Sequence, residues 1–218
     1  MSEILIKAVL GYLLGSIVGS LLVGRLRGGI DIREQGSGNA GGTNALRTQG
    51  KAFASWVLLI DIGKGWIATG LLATAHLPGI GAAPLPWRVW SVAACGIAVM
   101  LGHVYPLWHG FRGGKGVATL VGAVLGAAPL LLIPMLAVWL LAVVLFGFVG
   151  LASILGAGAF AVAAAACTLE ARIPLLTFAV ASAVLIAFTH RGNIARMLEG
   201  TEPRARRLWL LGAVRQRS

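Results

Sequence analysis

The sequence predicts an all-α integral membrane protein of about seven transmembrane helices, some short or broken, and three observations carry that prediction. The 218 residues are 58% hydrophobic and 11% charged, with a mean hydropathy of +0.88, more apolar surface than a soluble domain of this size can bury. The apolar residues fall in blocks longer than a signal-peptide core, and the blocks recur to the C-terminus. The basic residues, which give a net charge of +11, gather at the ends of these blocks without the interleaved aromatics of a nucleic-acid surface, so membrane topology explains them and no nucleic-acid partner is expected. Cys95 and Cys167 lie inside apolar runs, where a thiol acts as a small hydrophobe, and neither a disulfide nor a metal site is read from them.

Residues 4–24 make the first expected crossing, and Gly11, Gly15 and Gly19 place small residues on one helix face, suited to close packing. A polar segment over 25–51 leads to a second span at 52–75. Pro78, Pro84 and Pro86 mark an irregular connection to a third span at 89–105, and a glycine- and lysine-rich loop follows at 106–116. Pro129, the 147–153 region, and Glu170, Arg172 and Pro174 divide the remainder into spans at 117–128, 130–148, 152–168 and 173–189. The first of these reaches only about 18 Å at 1.5 Å per residue against a hydrocarbon core of ~30 Å, so it reads as a half-helix, a tilted short span or one limb of a broken helix. A basic tail over 190–218 completes a single polytopic domain. Arg25, Arg27, Arg33, Arg47 and Lys51 in the first loop, Arg112 and Lys115 in the second, and the tail arginines all fall on one side of that topology. The positive-inside rule then puts these regions and the C-terminus in the cytoplasm, with the N-terminus outside.

Two loops carry the chemistry. Arg33 to Lys51 reads REQGSGNAGGTNALRTQGK, in which Gly36, Gly38, Gly41, Gly42 and Gly50 alternate with Ser37, Asn39, Thr43 and Asn44. Glycines let backbone N–H groups turn toward one point, hydroxyls and amides add directional hydrogen bonds, and arginine offers a planar fork to phosphate oxygens. The bland alternative is a flexible loop. A second segment of the same kind, Phe111 to Thr119 (FRGGKGVAT), favours phosphate, because Gly114, Lys115 and Gly116 open a helix whose N–H groups attract anions. It is not a Walker A loop: no serine or threonine follows Lys115, which disfavours ATP hydrolysis.

Asp61 and Lys64, three residues apart inside the second span, share a helix face and form either an ion pair that pins the bundle or, through Lys64, a further cation for the ligand. His103 and His109 read as helix-end residues. The tail arginines, among them Arg204, Arg206, Arg207, Arg215 and Arg217, suit anionic lipid heads.

Three segments together, GSGNAGGTNALRTQGK at 36–51, GHVYPLWHGFRGGKGVAT at 102–119 and HRGNIARMLEGTE at 190–202, supported by DIGKG at 61–65, resemble the bacterial acyl-phosphate:glycerol-3-phosphate acyltransferase family in order and spacing. Departures stand at Thr189, where an arginine is common, at Arg112, where a lysine is common, and at Phe148 and Gly150, which replace a tyrosine and a serine and leave Ser153 as the surviving hydroxyl. The resemblance implies transfer of a fatty acyl group from acyl phosphate to the 1-hydroxyl of glycerol 3-phosphate, giving lysophosphatidic acid and phosphate at the start of phospholipid synthesis. It further implies a multi-pass protein of the bacterial cytoplasmic membrane with a cytoplasm-facing site, membrane lipid around it, no cofactor, no metal and no obligate protein partner.

On that resemblance Ser37, Asn39, Arg47, Lys115, His190 and Asn193 are the expected catalytic residues, with Gly36, Gly38, Thr43, Asn44, Gly114, Gly116, Lys64 and Ser153 around the substrate phosphates. The separate polar turns are expected to meet in one pocket, and either His190 or a substrate phosphate takes the proton. A transporter for a phosphorylated metabolite would also use cations and broken helices, but no internal repeat supports it. A lipid-head binding protein has no need of GSGNAGGTN, and a CDP-alcohol phosphotransferase needs a carboxylate-rich metal motif that Asp31, Glu34 and Asp61 do not form.

Overall fold

A computed structural model describes residues 2–81, 83–167, 172–205 and 208–209, and the regular elements among them are helical. They are α1 (Ser2–Gly15), α2 (Gly19–Leu26), α3 (Gly42–Trp66), α4 (Leu85–Arg88), α5 (Trp90–Val104), α6 (Val117–Ala127), α7 (Leu132–Phe146), α8 (Val149–Ala166), α9 (Arg172–Thr189) and α10 (Arg191–Leu198). Five helical stretches among the described residues are long and apolar enough to cross a bilayer, and a sixth arises if the bent pair α1 and α2 counts as one span. Helix α6 is apolar but only 11 residues long, which agrees with the short segment read from the sequence. The chain divides into two compact units, Met1–Pro129 and Leu130–Ser218.

In the first unit α1 packs along α5, and α3 along α6. The glycine stripe sets the first contact: a Cβ at Gly15 would run into the Val99 backbone, and one at Gly102 into Tyr12 O, so the two helices touch main chain to main chain. Gly65 and Gly122 do the same for α3 against α6. The expected single helix over 4–24 is instead broken between Gly15 and Gly19, with α1 and α2 bent by 45°. The stretch between them contains no proline, and the cause lies elsewhere in the chain. Lys64, inside α3, donates to Gly15 O (2.9 Å) and Ile17 O (2.7 Å), while Asp61 Oδ1 accepts from Gly19 N (3.0 Å). The ion pair thus caps both ends of the break, satisfying carbonyls and an amide that would be orphaned in a membrane.

Helix α3 begins earlier than expected, at Gly42, and is itself bent at Gly50 (φ 83), so the short helix before Gly50 belongs to the polar loop and the span proper follows it. A π-helical stretch at Ile67–Leu72 continues it. On the other side of this unit Glu3 and Lys7 pair at 2.9 Å and reach Ala83 N and Ala73 O, tying the connection after α3 to α1.

In the second unit α7 packs on α8 and α8 on α9, with Phe160 and Phe178 edge to face at the second contact. The break after α7 falls at Gly147, which takes a left-handed conformation (φ 77). The tail does not run free from residue 190: α10 forms at once, and Arg204 lies against Phe148 and Trp209 rather than being presented to lipid heads. Glu170, Arg206, Arg207, Arg215 and Arg217, which bear on the sequence reading, lie outside the described residues.

Candidate active site

The first glycine loop is ordered from within. Asn44, in the opening turn of α3, is buried, and its Nδ2 donates to Ile32 O (2.9 Å), Gln35 O (3.0 Å) and Asn39 O (3.0 Å) while its Oδ1 accepts from Ser37 N (3.0 Å). Asn44 was expected at a phosphate; its amide is instead spent at both ends on shaping the loop, because a glycine-rich turn has many backbone groups to satisfy and no side chains to bury. The side chains left facing outward are those of Ser37, Thr43 and Arg47, with Gly36 and Gly38 also exposed and Asn39 half-buried.

The second loop is held against the first. Arg33 grips Asp31 through Nε and Nη2, at 2.7 to 3.1 Å, and carries its other fork nitrogen to His109 O (3.0 Å) and Arg112 O (2.9 Å). That guanidinium holds the Asp31 carboxyl below the usual carboxylate range. Arg33 is therefore a tie between two loops rather than a cation on offer. Gly113 N and Gly114 N donate to Val104 O (3.0 Å) and His103 O (3.1 Å), and a Cβ on Gly114 would run into His103 Nε2 and approach Ala40 O. Only glycine fits between the imidazole and the first loop. Gly116 then turns left-handed (φ 88) as the N-cap of α6, so the half-buried Lys115 stands immediately before a helix start. In the first turn of α6, Thr119 Oγ1 is buried with no hydrogen-bond partner among the described residues.

Lys64 lies behind this loop. Gly15 O, Ile17 O and Asp61 Oδ1 (3.0 Å) use its three protons, and His103 Nδ1 is 2.8 Å away, all in a buried cluster. The ion-pair reading of DIGKG is what the structure shows. Lys64 as a phosphate cation is corrected, since the ammonium has no donor left to give.

In the second unit His190 is the N-cap residue of α10, buried, with Nδ1 2.8 Å from Ile186 O and 3.4 Å from Thr189 Oγ1. A carbonyl can only accept, so Nδ1 is the donor in the contact with Ile186 O. Asn193, one turn on, donates through Nδ2 to Glu202 Oε1 (2.5 Å), and Arg196 Nε donates to Glu202 Oε2 (2.7 Å). Gly150 on α8 faces the Asn193 side chain, where an added Cβ would come within 2.9 Å of Asn193 Cβ; the departure to glycine makes room for the helix contact. Ser153, expected near a phosphate, is buried and donates to Val149 O (2.9 Å), an ordinary bond along its own helix.

Glu202, Asp31 and His103 received no site role from the sequence. A carboxylate among tail arginines was the signal for Glu202, and an aspartate two residues before an arginine was the signal for Asp31.

A family model for glycerol-3-phosphate acyltransferase matches residues 5–200. The chain belongs to that family. The glycerol-3-phosphate acyltransferase of Synechococcus sp. (strain JA-3-3Ab) is 40% identical over 205 residues, covering 94% of this chain and 95% of that protein. That of Bordetella pertussis is 42% identical over 200 residues, covering 90% and 89%. Two crystal structures of PlsY, an integral membrane glycerol 3-phosphate acyltransferase, have the same fold. Its glycerol 3-phosphate form superposes with a TM-score of 0.81 at 33% identity, over 92% of this chain and 94% of that one. Its lysophosphatidic acid form gives 0.79 at 32% identity. The relatives are bacterial and the solved neighbour is a membrane protein, in keeping with the apolar helices here.

Proposed function

We propose that this acyltransferase moves a fatty acyl group from an acyl phosphate to the 1-hydroxyl of glycerol 3-phosphate, on the cytoplasmic face of the bacterial inner membrane. The observation that carries the reading is the tie made by Arg33, which binds two anion-suited loops far apart in sequence into one polar surface. The relatives' names supply glycerol 3-phosphate as acceptor, and the solved neighbour is described in forms with that substrate and with lysophosphatidic acid. Two phosphate-bearing substrates need two anion sites. Ser37, Gly36, Gly38, Asn39, Thr43 and Arg47 serve one phosphate, and Gly114, Lys115 and Gly116 with the start of α6 serve the other.

In the reaction the glycerol oxygen attacks the acyl carbonyl carbon, an ester C–O bond forms, the bond from that carbon to the phosphate oxygen breaks, and inorganic phosphate leaves. Phosphate is a good leaving group, so no covalent enzyme intermediate is required. The chain's contribution is positioning and donors aimed at the developing oxyanion. His190 Nε2 accepts the hydroxyl proton, its ring oriented by Ile186 O, and Asn193 binds the glycerol hydroxyls.

Purified protein given labelled glycerol 3-phosphate forms labelled lysophosphatidic acid with acyl phosphate and none with acyl-CoA. Product from acyl-CoA alone overturns the donor, and product from neither overturns the activity. His190→Ala lowers turnover; unchanged turnover moves the proton to the departing phosphate.

A further inference from the structure

Residues 105–112 (YPLWHGFR) form a turn to which the proposed chemistry gives no task. Its main chain is fixed from behind: Tyr12 Oη donates to Tyr105 O (2.8 Å), Leu107 N to Ser16 Oγ (3.2 Å) and Phe111 N to Pro106 O (3.0 Å), while Arg33 reaches both His109 O and Arg112 O. The large side chains stand clear of that frame. Trp108 is 60% exposed and Phe111 55%, with Tyr105 and Leu107 exposed beside them. Phe111 also holds a left-handed backbone (φ 58), the one residue other than glycine to do so among those described. Glycine would take that conformation freely, a bulky residue takes it at a cost, and a ring so exposed gains little from packing on the protein. Position in the chain says what covers it. The apolar stretch Trp90–His109 is long enough to cross a bilayer and ends in this turn, which puts the rings at the boundary between hydrocarbon and water, where tryptophan and tyrosine are favoured. Arg112 is exposed next to Phe111, and the exposed Arg25 lies within electrostatic range of His109, so cations flank the rings at the level of anionic phospholipid heads.

We infer that residues 105–112 are a lipid-anchoring foot. Trp108 and Phe111 sit in the headgroup boundary of the bilayer, Arg112 pairs with anionic lipid phosphate, and the foot fixes the depth of the turn that carries Lys115, three residues further on, against the membrane surface. An acyl phosphate lies with its chain among the lipid tails and its phosphate at the surface, so an anion site held at that depth meets it without drawing the chain into water. The rigid main chain is what makes the foot effective: anchoring the rings anchors the bonds to α1 and to Arg33, and through them both glycine loops. The placement of the rings in the bilayer stands on the turn itself, and only the effect on acyl phosphate rests on the proposed function.

The full-length enzyme is reconstituted in vesicles of phosphatidylethanolamine and phosphatidylglycerol, and the emission of Trp108 is taken as the difference between the wild type and Trp108→Phe. A nitroxide near the lipid headgroup quenches that emission more than one at the chain end, and more than iodide in the water. Stronger quenching by iodide overturns the foot, because the turn then stands in water. Protection from all three overturns it as well, because protein, a second copy of this chain included, then covers the ring. Phe111→Gly separates anchoring from packing. It relieves the left-handed strain, so the melting temperature is no lower than that of the wild type, yet KM for acyl phosphate in vesicles rises about fivefold with KM for glycerol 3-phosphate unchanged, the scale of one interfacial contact. Phe111→Trp keeps the anchor and the wild-type KM. A lowered melting temperature with an unchanged KM in Phe111→Gly makes Phe111 a packing residue and overturns its role. Arg112→Gln raises KM for acyl phosphate in vesicles containing phosphatidylglycerol and not in zwitterionic ones, and equal effects in both overturn the pairing with lipid phosphate. A wild type that forms no product from acyl phosphate overturns the donor in the proposed function and leaves the quenching result standing, so the two failures are told apart.

Discussion

Lys64 and Lys115 occupy the same tripeptide, Gly-Lys-Gly, within one unit of the chain, and the structure gives them opposite work. Lys64 sits inside α3 and spends its protons on two carbonyls and a carboxylate. Lys115 follows two glycines and stands, half-buried, before the first turn of α6. The first lysine solves a problem that the membrane creates, a broken helix with orphaned backbone groups. The second is placed where a helix start already favours an anion. Flanking residues alone do not set a lysine's role; the backbone groups that its ammonium can reach do.

Substitutions can break that comparison in either direction. Lys64→Met takes the ammonium away from the buried Asp61 carboxylate, which keeps only Gly19 N and the His103 ring beside it, and leaves the carbonyls of the break without a donor, a loss of about 3–5 kcal/mol of stability. Expression and melting temperature in detergent fall, while each surviving folded molecule keeps glycerol 3-phosphate affinity. A normal melting temperature with lost affinity would return Lys64 to the phosphate. Lys115→Ala does the reverse: turnover falls by about 10²–10³ with the melting temperature unchanged, the scale of one lost electrostatic donor. Lys51→Ala, at the far end of the first loop, changes little, and comparable activity in both variants would remove Lys115 from the site.

The DIGKG pair was legible in the sequence because three residues along a helix share a face, whatever the tertiary fold. The break in the first span was not, because its cause is 42 residues away: Asp61 binds Gly19 N, and nothing in Ser16, Ile17 and Val18 announces it. The all-helical, apolar character was legible from apolar length, as was the shortness of α6. Within the first loop, composition pointed to a phosphate but could not separate outward side chains from inward ones. Ser37, Thr43 and Arg47 face out, whereas Asn44 faces in, and one amide cannot be told from another without the fold. The helix α10 was hidden by the charge of its neighbours, which made residues 190–218 read as a basic tail.

Asn44 sharpens the distinction between building a loop and serving a ligand. Asn44→Ala strands Ser37 N and three carbonyls, some of them buried, and costs about 1–3 kcal/mol. Proteolysis between Arg33 and Lys51 then speeds up, and KM for both substrates rises together as the loop loses its shape. Asn44→Asp keeps the acceptor for Ser37 N but removes the donor to Ile32, Gln35 and Asn39, and sets a negative charge beside the anion site. Its KM rises further than that of the alanine variant. Equal values would mean that the loop, and not its charge, limits binding.

The smallest effect belongs to the tie between the loops. Asp31 has its carboxyl depressed, chiefly by the hydrogen bond from Arg33, so the pair contributes stability above the ordinary aspartate range, and that contribution disappears as pH falls through the depressed folded-state value. The window opens near pH 4, where the unfolded carboxyl takes its proton, and closes below it. Both side chains are partly exposed, 22% and 30%, so the contribution stays within about 1 kcal/mol. Melting temperatures of the wild type and Asp31→Asn, followed from pH 7 downward, differ modestly at neutral pH and converge below about pH 4. Salt narrows the gap at neutral pH, as it does for any exposed pair. The carbonyls of His109 and Arg112 do not titrate, so Arg33 keeps hold of the second loop throughout. Arg33→Ala releases that loop at every pH, and a loss of activity larger in Arg33→Ala than in Asp31→Asn assigns the joining of the loops to the arginine's reach across to the second loop rather than to its charge partner.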